Sequence, residues 1–266
     1  ANMRGHQREW ELPMRPSWSG LLLMLGLLAG CYAKGDPSKP IPTVLVPAQQ
    51  QPAQRLVVVL PGRGDDIAAL QRFGIAAAIQ SQWPDADVVL SGLAMDYYLQ
   101  GGATRRLHDE IVAPARSRYR EVWLLGASLG GLGALMYDNQ WPGTVDGMVL
   151  LAPYLGEKPL LQQISQGGGI THWDPGPAPA QVDGHNFQHE LWRGLKTWSR
   201  DPSRSRNVWL AYGDKDYLRD TMPALTPLLP TSQVLVRRGS HSWSVWTPAS
   251  VAILAAINAR HAHLAP

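Results

Sequence analysis

Ser128 stands at the centre of Gly126-Ala127-Ser128-Leu129-Gly130, directly after the apolar run Val122-Trp123-Leu124-Leu125 and just before Leu132-Gly133-Ala134-Leu135-Met136-Tyr137. A strand, a reversal within a few residues and a helix would expose the hydroxyl with Ser128 in a strained conformation, and glycines at 126 and 130 give the room such a turn needs. The chemistry implied is nucleophilic attack on an acyl carbonyl. A serine hydroxyl attacks poorly at neutral pH unless a base takes its proton, and that base needs a carboxylate to hold its tautomer. The chain supplies both further on, in Gly213-Asp214-Lys215-Asp216 and then in Gly239-Ser240-His241-Ser242-Trp243. His108 falls within a helical pattern and His261 and His263 at a tail, so His241 is the base expected. The oxyanion formed on attack needs two fixed donors. One is the backbone N–H of Leu129, where the dipole of the following helix adds to it.

These groups meet only if the intervening elements bring them to one place. Arg55 to Leu60 is a continuous apolar run closed by Pro61-Gly62, as expected of a strand buried on both faces. Ala86 to Leu90, Glu121 to Leu125 and Gly147 to Leu151 repeat the pattern, with helical stretches between them at Ile67 to Gln82, Thr104 to Tyr119 and Leu129 to Gln140. Strands at Asn207 to Tyr212 and Gln233 to Val236 follow, with a helix near Thr221 to Leu229 and a last helix from about Pro248 to His261. Thr43 to Val46 adds an edge strand. Alternation of this kind predicts an α/β architecture: a doubly wound, mostly parallel sheet with helices on both faces, its ligand site at the carboxyl ends of the strands.

The order Ser, Asp, His on these strand ends resembles the α/β-hydrolase superfamily, of the compact carboxylesterase and lipase-like kind, over roughly residues 43 to 263. The resemblance implies Ser128 as nucleophile and His241 as general base. Its usual Gly-x-x-Asp turn falls on Asp216 as the acid, with Asp214 in reach if the turn is shorter. It also implies the backbone N–H of Arg63, in Leu60-Pro61-Gly62-Arg63-Gly64, as second oxyanion donor; Pro61 replaces the histidine common before that glycine, which weakens the expectation of a rigid loop. A small cap inserted at about 153–206 would carry Trp173, Trp192 and Trp198. With Trp243 and Trp246 these would give the pocket an aromatic wall for an acyl chain or aromatic acid, or else pack the cap on the core. Tyr97 and Trp243 are the substrate contacts expected, with Tyr98 and Gln100 beside them. His185 and His189 have helical metal-ligand spacing but no third ligand, so no metal and no cofactor is expected.

The single cysteine carries a second resemblance. Arg15 leads into the apolar stretch Leu21 to Leu28, a run too short to span a membrane, and Leu28-Ala29-Gly30-Cys31 resembles the lipobox of bacterial lipoproteins. That implies lipidation of Cys31, loss of the leader 1–30, a polar, proline-rich tether at 31–42, a hydrolase domain at 43–266, and export to the bacterial cell envelope. Tyr32 after the cysteine would permit sorting to the outer membrane. Net charge is +3, with no basic stripe to suggest nucleic acid. The expected function is a serine hydrolase that cleaves small-molecule carboxylic esters through an acyl-enzyme. A thioesterase, an acyl-peptide hydrolase or an inactive lipid- or protein-binding module shares the same pattern.

Overall fold

The structure, a computed structural model, describes residues 33–264; the leader and Cys31 lie outside the described residues. Seven strands form one sheet in the order β1-β3-β2-β4-β5-β6-β7, namely β1 Thr43–Val46, β2 Arg55–Leu60, β3 Ala86–Ser91, β4 Glu121–Ala127, β5 Gly147–Leu151, β6 Val208–Gly213 and β7 Val234–Arg237. Only β1 runs antiparallel, against β3. The unbroken apolar runs have a direct cause. Leu56, Val58 and Leu60 face one hydrophobic cluster while Val57 and Val59 face another, so alternate residues of β2 feed separate cores on the two faces. The first core is closed by the segment 103–116, the helix Leu129–Gln140 and the inserted segment. The second is closed by the helices within 67–80 and the long C-terminal helix.

Several helices differ from expectation at identifiable residues. The pattern Ile67 to Gln82 forms two helices, Ile67–Arg72 and Ile75–Gln80, because Gly74 takes a left-handed conformation at φ 66° between them. The expected helix Thr104 to Tyr119 is a short helix Ala103–Leu107, a π-helical turn His108–Val112 and a further turn ending at Arg116. Between β6 and β7 there are only 3-10 turns, interrupted by Pro223 and Pro227, where a helix was expected. The last helix starts at Trp243 and continues through Pro248 to Leu264, five residues earlier than the proline suggested.

The segment before β1 is docked on the body. Ala33 N–H donates to the Arg63 carbonyl, Gly35 N–H to Asp96 at 2.7 Å, and Ile41 N–H to Glu110 at 2.6 Å, while the Arg106 guanidinium holds the carbonyls of Pro37 and Lys39. Residues 33–42 are therefore a strap and not the free tether their composition suggests. Among the described residues no helix is long and apolar enough to cross a membrane.

Candidate active site

The turn around Ser128 leaves no space for side chains at its glycines. A Cβ on Gly126 would fall against the carbonyl of Gly130, and one on Gly130 against the carbonyl of Leu60. Strand β4 and the helix Leu129–Gln140 can approach each other and β2 this closely only with glycine at both positions. Ser128 itself sits at φ 51°, a region a non-glycine residue enters at a cost of about 1–3 kcal/mol. Three backbone bonds hold it there: its N–H donates to the Leu151 carbonyl at 2.9 Å, and its carbonyl accepts from Tyr154 N–H at 2.9 Å and Leu132 N–H at 3.2 Å. Leu129 opens the helix, and a first-turn N–H has no intrahelical acceptor.

The two carboxylates make different contacts. Asp216, 2% exposed, accepts from His241 Nδ1 through both oxygens, at 2.9 and 2.8 Å. Asp214 instead accepts from Gly239 N–H at 2.8 Å and pins the turn that presents the histidine. With Nδ1 committed to Asp216, the free nitrogen of the imidazole is Nε2. The ring is held from two sides, by Trp246 edge-on at 4.6 Å and by Tyr217 at 4.4 Å.

Tyr217 is the residue sequence reasoning missed. Its ring lies 4.4 Å from that of His241, and its side chain is 73% exposed. Burial of the hydroxyl end, reinforced by the Asp216 charge, pushes the phenol above its ordinary range. Its position directly after Asp216 was the one available signal. Among the described residues the Ser128 hydroxyl makes no hydrogen bond to His241.

The loop carrying Arg63 is stiffened by a residue sequence reasoning also passed over. Asp65 Oδ2 accepts from Gly62 N–H at 3.2 Å and from the Trp243 indole N–H at 2.8 Å, and Asp65 N–H returns to the Gly62 carbonyl at 3.1 Å. The rigidity that Pro61 left in question comes from this carboxylate.

The expected substrate contacts are placed otherwise. Tyr97 is 1% exposed and its hydroxyl reaches the carbonyl of Asp36 in the strap. Trp243 is buried, stacks on Phe73 at 5.6 Å and donates to Asp65, which makes it a buttress behind the loop Gly62 to Asp65. The Tyr98 hydroxyl is buried against Gly133 and finds no hydrogen-bond partner among the described residues, and Gln100 is exposed. Trp173, Trp192 and Trp198 belong to the core, and Trp192 donates to the Leu155 carbonyl at 2.8 Å. His189 sits against Trp173 and Glu190, and among the described residues no group of three metal-ligating side chains forms. Two surface hollows, of 490 Å³ between β1 and the segment 110–119 and of 360 Å³ at the amino ends of β5 and β6, include none of Ser128, Asp216 or His241.

No family model and no curated protein matches this sequence. Solved structures do match its shape. Est1E from Butyrivibrio proteoclasticus is 13% identical, covers 86% of this chain and 97% of its own length, and has a TM-score of 0.54. A monoacylglycerol lipase of Paleococcus ferrophilus is 15% identical over 82% of this chain and 99% of its own, at a TM-score of 0.50. FphF, a fluorophosphonate-binding serine hydrolase of Staphylococcus aureus, is 13% identical over 81% and 98%, at 0.51. The seven-stranded, mostly parallel sheet with helices on both faces is the α/β-hydrolase fold.

Proposed function

We propose that the chain is a serine esterase, anchored to a membrane through an acylated Cys31, in which Ser128, His241 and Asp216 form the catalytic triad. The observation that carries the reading is the pairing of His241 Nδ1 with a buried Asp216 beside a serine held at positive φ on a glycine-framed turn. The neighbours in shape that are a monoacylglycerol lipase and a fluorophosphonate-binding serine hydrolase agree with it.

In the proposed reaction Ser128 Oγ forms a bond to the ester carbonyl carbon as its proton passes to His241 Nε2, and the carbonyl oxygen takes the negative charge. The backbone N–H groups of Leu129 and Arg63 receive that oxyanion. The tetrahedral species collapses by expelling the alcohol oxygen, which leaves with the proton from His241. Water then attacks the acyl-enzyme by the same route, and the acid product is released with Ser128 restored. Asp216 stays ionised throughout and fixes the imidazole tautomer. The missing Ser128 to His241 bond is consistent with a resting enzyme, since catalytic hydrogen bonds are often loose before substrate binds.

Hydrolysis of p-nitrophenyl esters from acetate to palmitate tests the reading. The wild-type chain is expected to turn over at least one chain length, and Ser128→Ala to fall to background; equal rates in the two proteins would refute it. Mass spectrometry of the membrane-fraction protein should show an acylated N-terminal Cys31, and an intact leader or an unmodified thiol would refute the anchor.

A further inference from the structure

The strap starts at the mouth of the site. Ala33 N–H is bonded to the carbonyl of Arg63, in the loop at the carboxyl end of β2, at 3.2 Å. From there the chain passes the carboxyl end of β3, where Gly35 lies so close to Tyr97 and Ala94 that any larger residue would collide with them, and reaches β1 through the bond between Gly92 N–H and the Pro42 carbonyl. Cys31 precedes Ala33 by two positions. Two residues span at most ~7 Å when fully extended, whereas a free chain over 31–42 would wander roughly 20 Å.

That length can be set against the membrane. The polar layer of one leaflet is about 5–8 Å deep. A leash of ~7 Å from acyl chains seated in the hydrocarbon leaves the Arg63 loop at headgroup depth, with no room for a water layer between membrane and active-site rim. A second observation points the same way. Of the six large apolar side chains exposed on the described surface, three belong to this rim, Phe73 at 40%, Leu99 at 72% and Tyr217 at 73%: Phe73 stacks on Trp243, Leu99 ends the helix Met95–Leu99 under the strap, and Tyr217 covers His241, while Leu45, Val182 and Val236 lie on β1, in the segment 153–206 and on β7.

We infer that the carboxyl edge of the sheet is a membrane-facing surface and that the site takes acyl esters resident in the phospholipid bilayer in preference to dissolved ones. This rests on the esterase and Cys31-acylation readings above. The strap is what turns the anchor into an orientation, because it fixes which side of the enzyme the lipids hold down.

The test uses the full, processed chain reconstituted into phosphatidylethanolamine/phosphatidylglycerol vesicles. One substrate, 4-methylumbelliferyl palmitate, is dissolved in the bilayer, and the other, p-nitrophenyl acetate, in water. A Gly/Ser insert of about 20 residues between Tyr32 and Ala33 lengthens the leash to roughly 25 Å without touching the strap. It is expected to lower the rate on the vesicle-borne ester about tenfold or more and to leave the acetate rate within about twofold; Leu99→Glu is expected to act in the same direction, more weakly. An insert that leaves the vesicle rate unchanged while acetate is still hydrolysed overturns this inference alone. Folded wild-type protein that hydrolyses neither ester overturns the esterase reading and this inference with it, and protein that does not float with the vesicles overturns the anchor.

Discussion

Asp214 and Asp216 are two positions apart, and the neighbours they touch separate their roles. Sequence favoured Asp216 but left Asp214 open, because turn length decides which carboxylate reaches the imidazole and turn length is not written in residue types. Asp216→Asn keeps the shape and inverts the hydrogen-bond polarity at Nδ1, so kcat for an ester substrate is expected to fall about 10³–10⁴-fold. Asp214→Asn weakens one turn bond to Gly239, worth about 1 kcal/mol, and should cost less than about tenfold. Equal losses in the two variants would contradict the assignment. Tyr217 offers a second check. Its phenol is held above its ordinary range, so it stays neutral through neutral pH and adds no titration there. Tyr217→Phe should therefore leave the pH profile of kcat/KM unmoved between about pH 6 and 9. Its level should shift by less than about tenfold, because the exposed ring flanks the imidazole and the hydroxyl alone is removed. A larger fall would show that the phenol assists the reaction.

At the level of elements, the nucleophile turn was the most legible part of the chain, and its helix runs from Leu129 to Gln140 as the pattern indicates. Glycine was required there by contacts that local sequence does not show: the atom against which a Cβ on Gly130 would press belongs to Leu60, at the end of another strand. Gly130→Ala is expected to destabilise the fold by about 1–3 kcal/mol or to prevent its recovery, as overpacking against rigid backbone does, and denaturant unfolding measures it. A variant as stable as the wild type would contradict the tight approach of the elbow to β2. The helices that departed from their patterns did so at Gly74, whose left-handed conformation breaks the first, at the turn after Leu107, and through Pro248, which the last helix contains in its interior despite the local preference against it. The strap was read as a tether because Pro, Ser, Gly and Lys signal an exposed spacer. Its partners Asp96, Tyr97, Arg106 and Glu110 lie more than fifty residues away in sequence, beyond any local signal.

Across the whole molecule, the sheet was readable because strands buried on both faces must be apolar at every position, as Arg55 to Leu60 and Gly147 to Leu151 are. The site followed from topology: with β4, β5, β6 and β7 adjacent and parallel, the turns after β4, β6 and β7 come to one rim, and Ser128, Asp216 and His241 lie on those turns. The substrate side was not readable. Apolar aromatic residues look alike whether they line a pocket or fill a core, and here Tyr97, Trp192 and Trp198 fill the core. The central claim is that Ser128 is a nucleophile made reactive by His241. Incubation with an alkyl fluorophosphonate, followed by mass spectrometry of the digested protein, tests it directly: the account predicts a single covalent adduct on Ser128 that is lost in Ser128→Ala and strongly slowed in His241→Ala. Folded wild-type protein that takes up no label, or takes it up equally in Ser128→Ala, would contradict it.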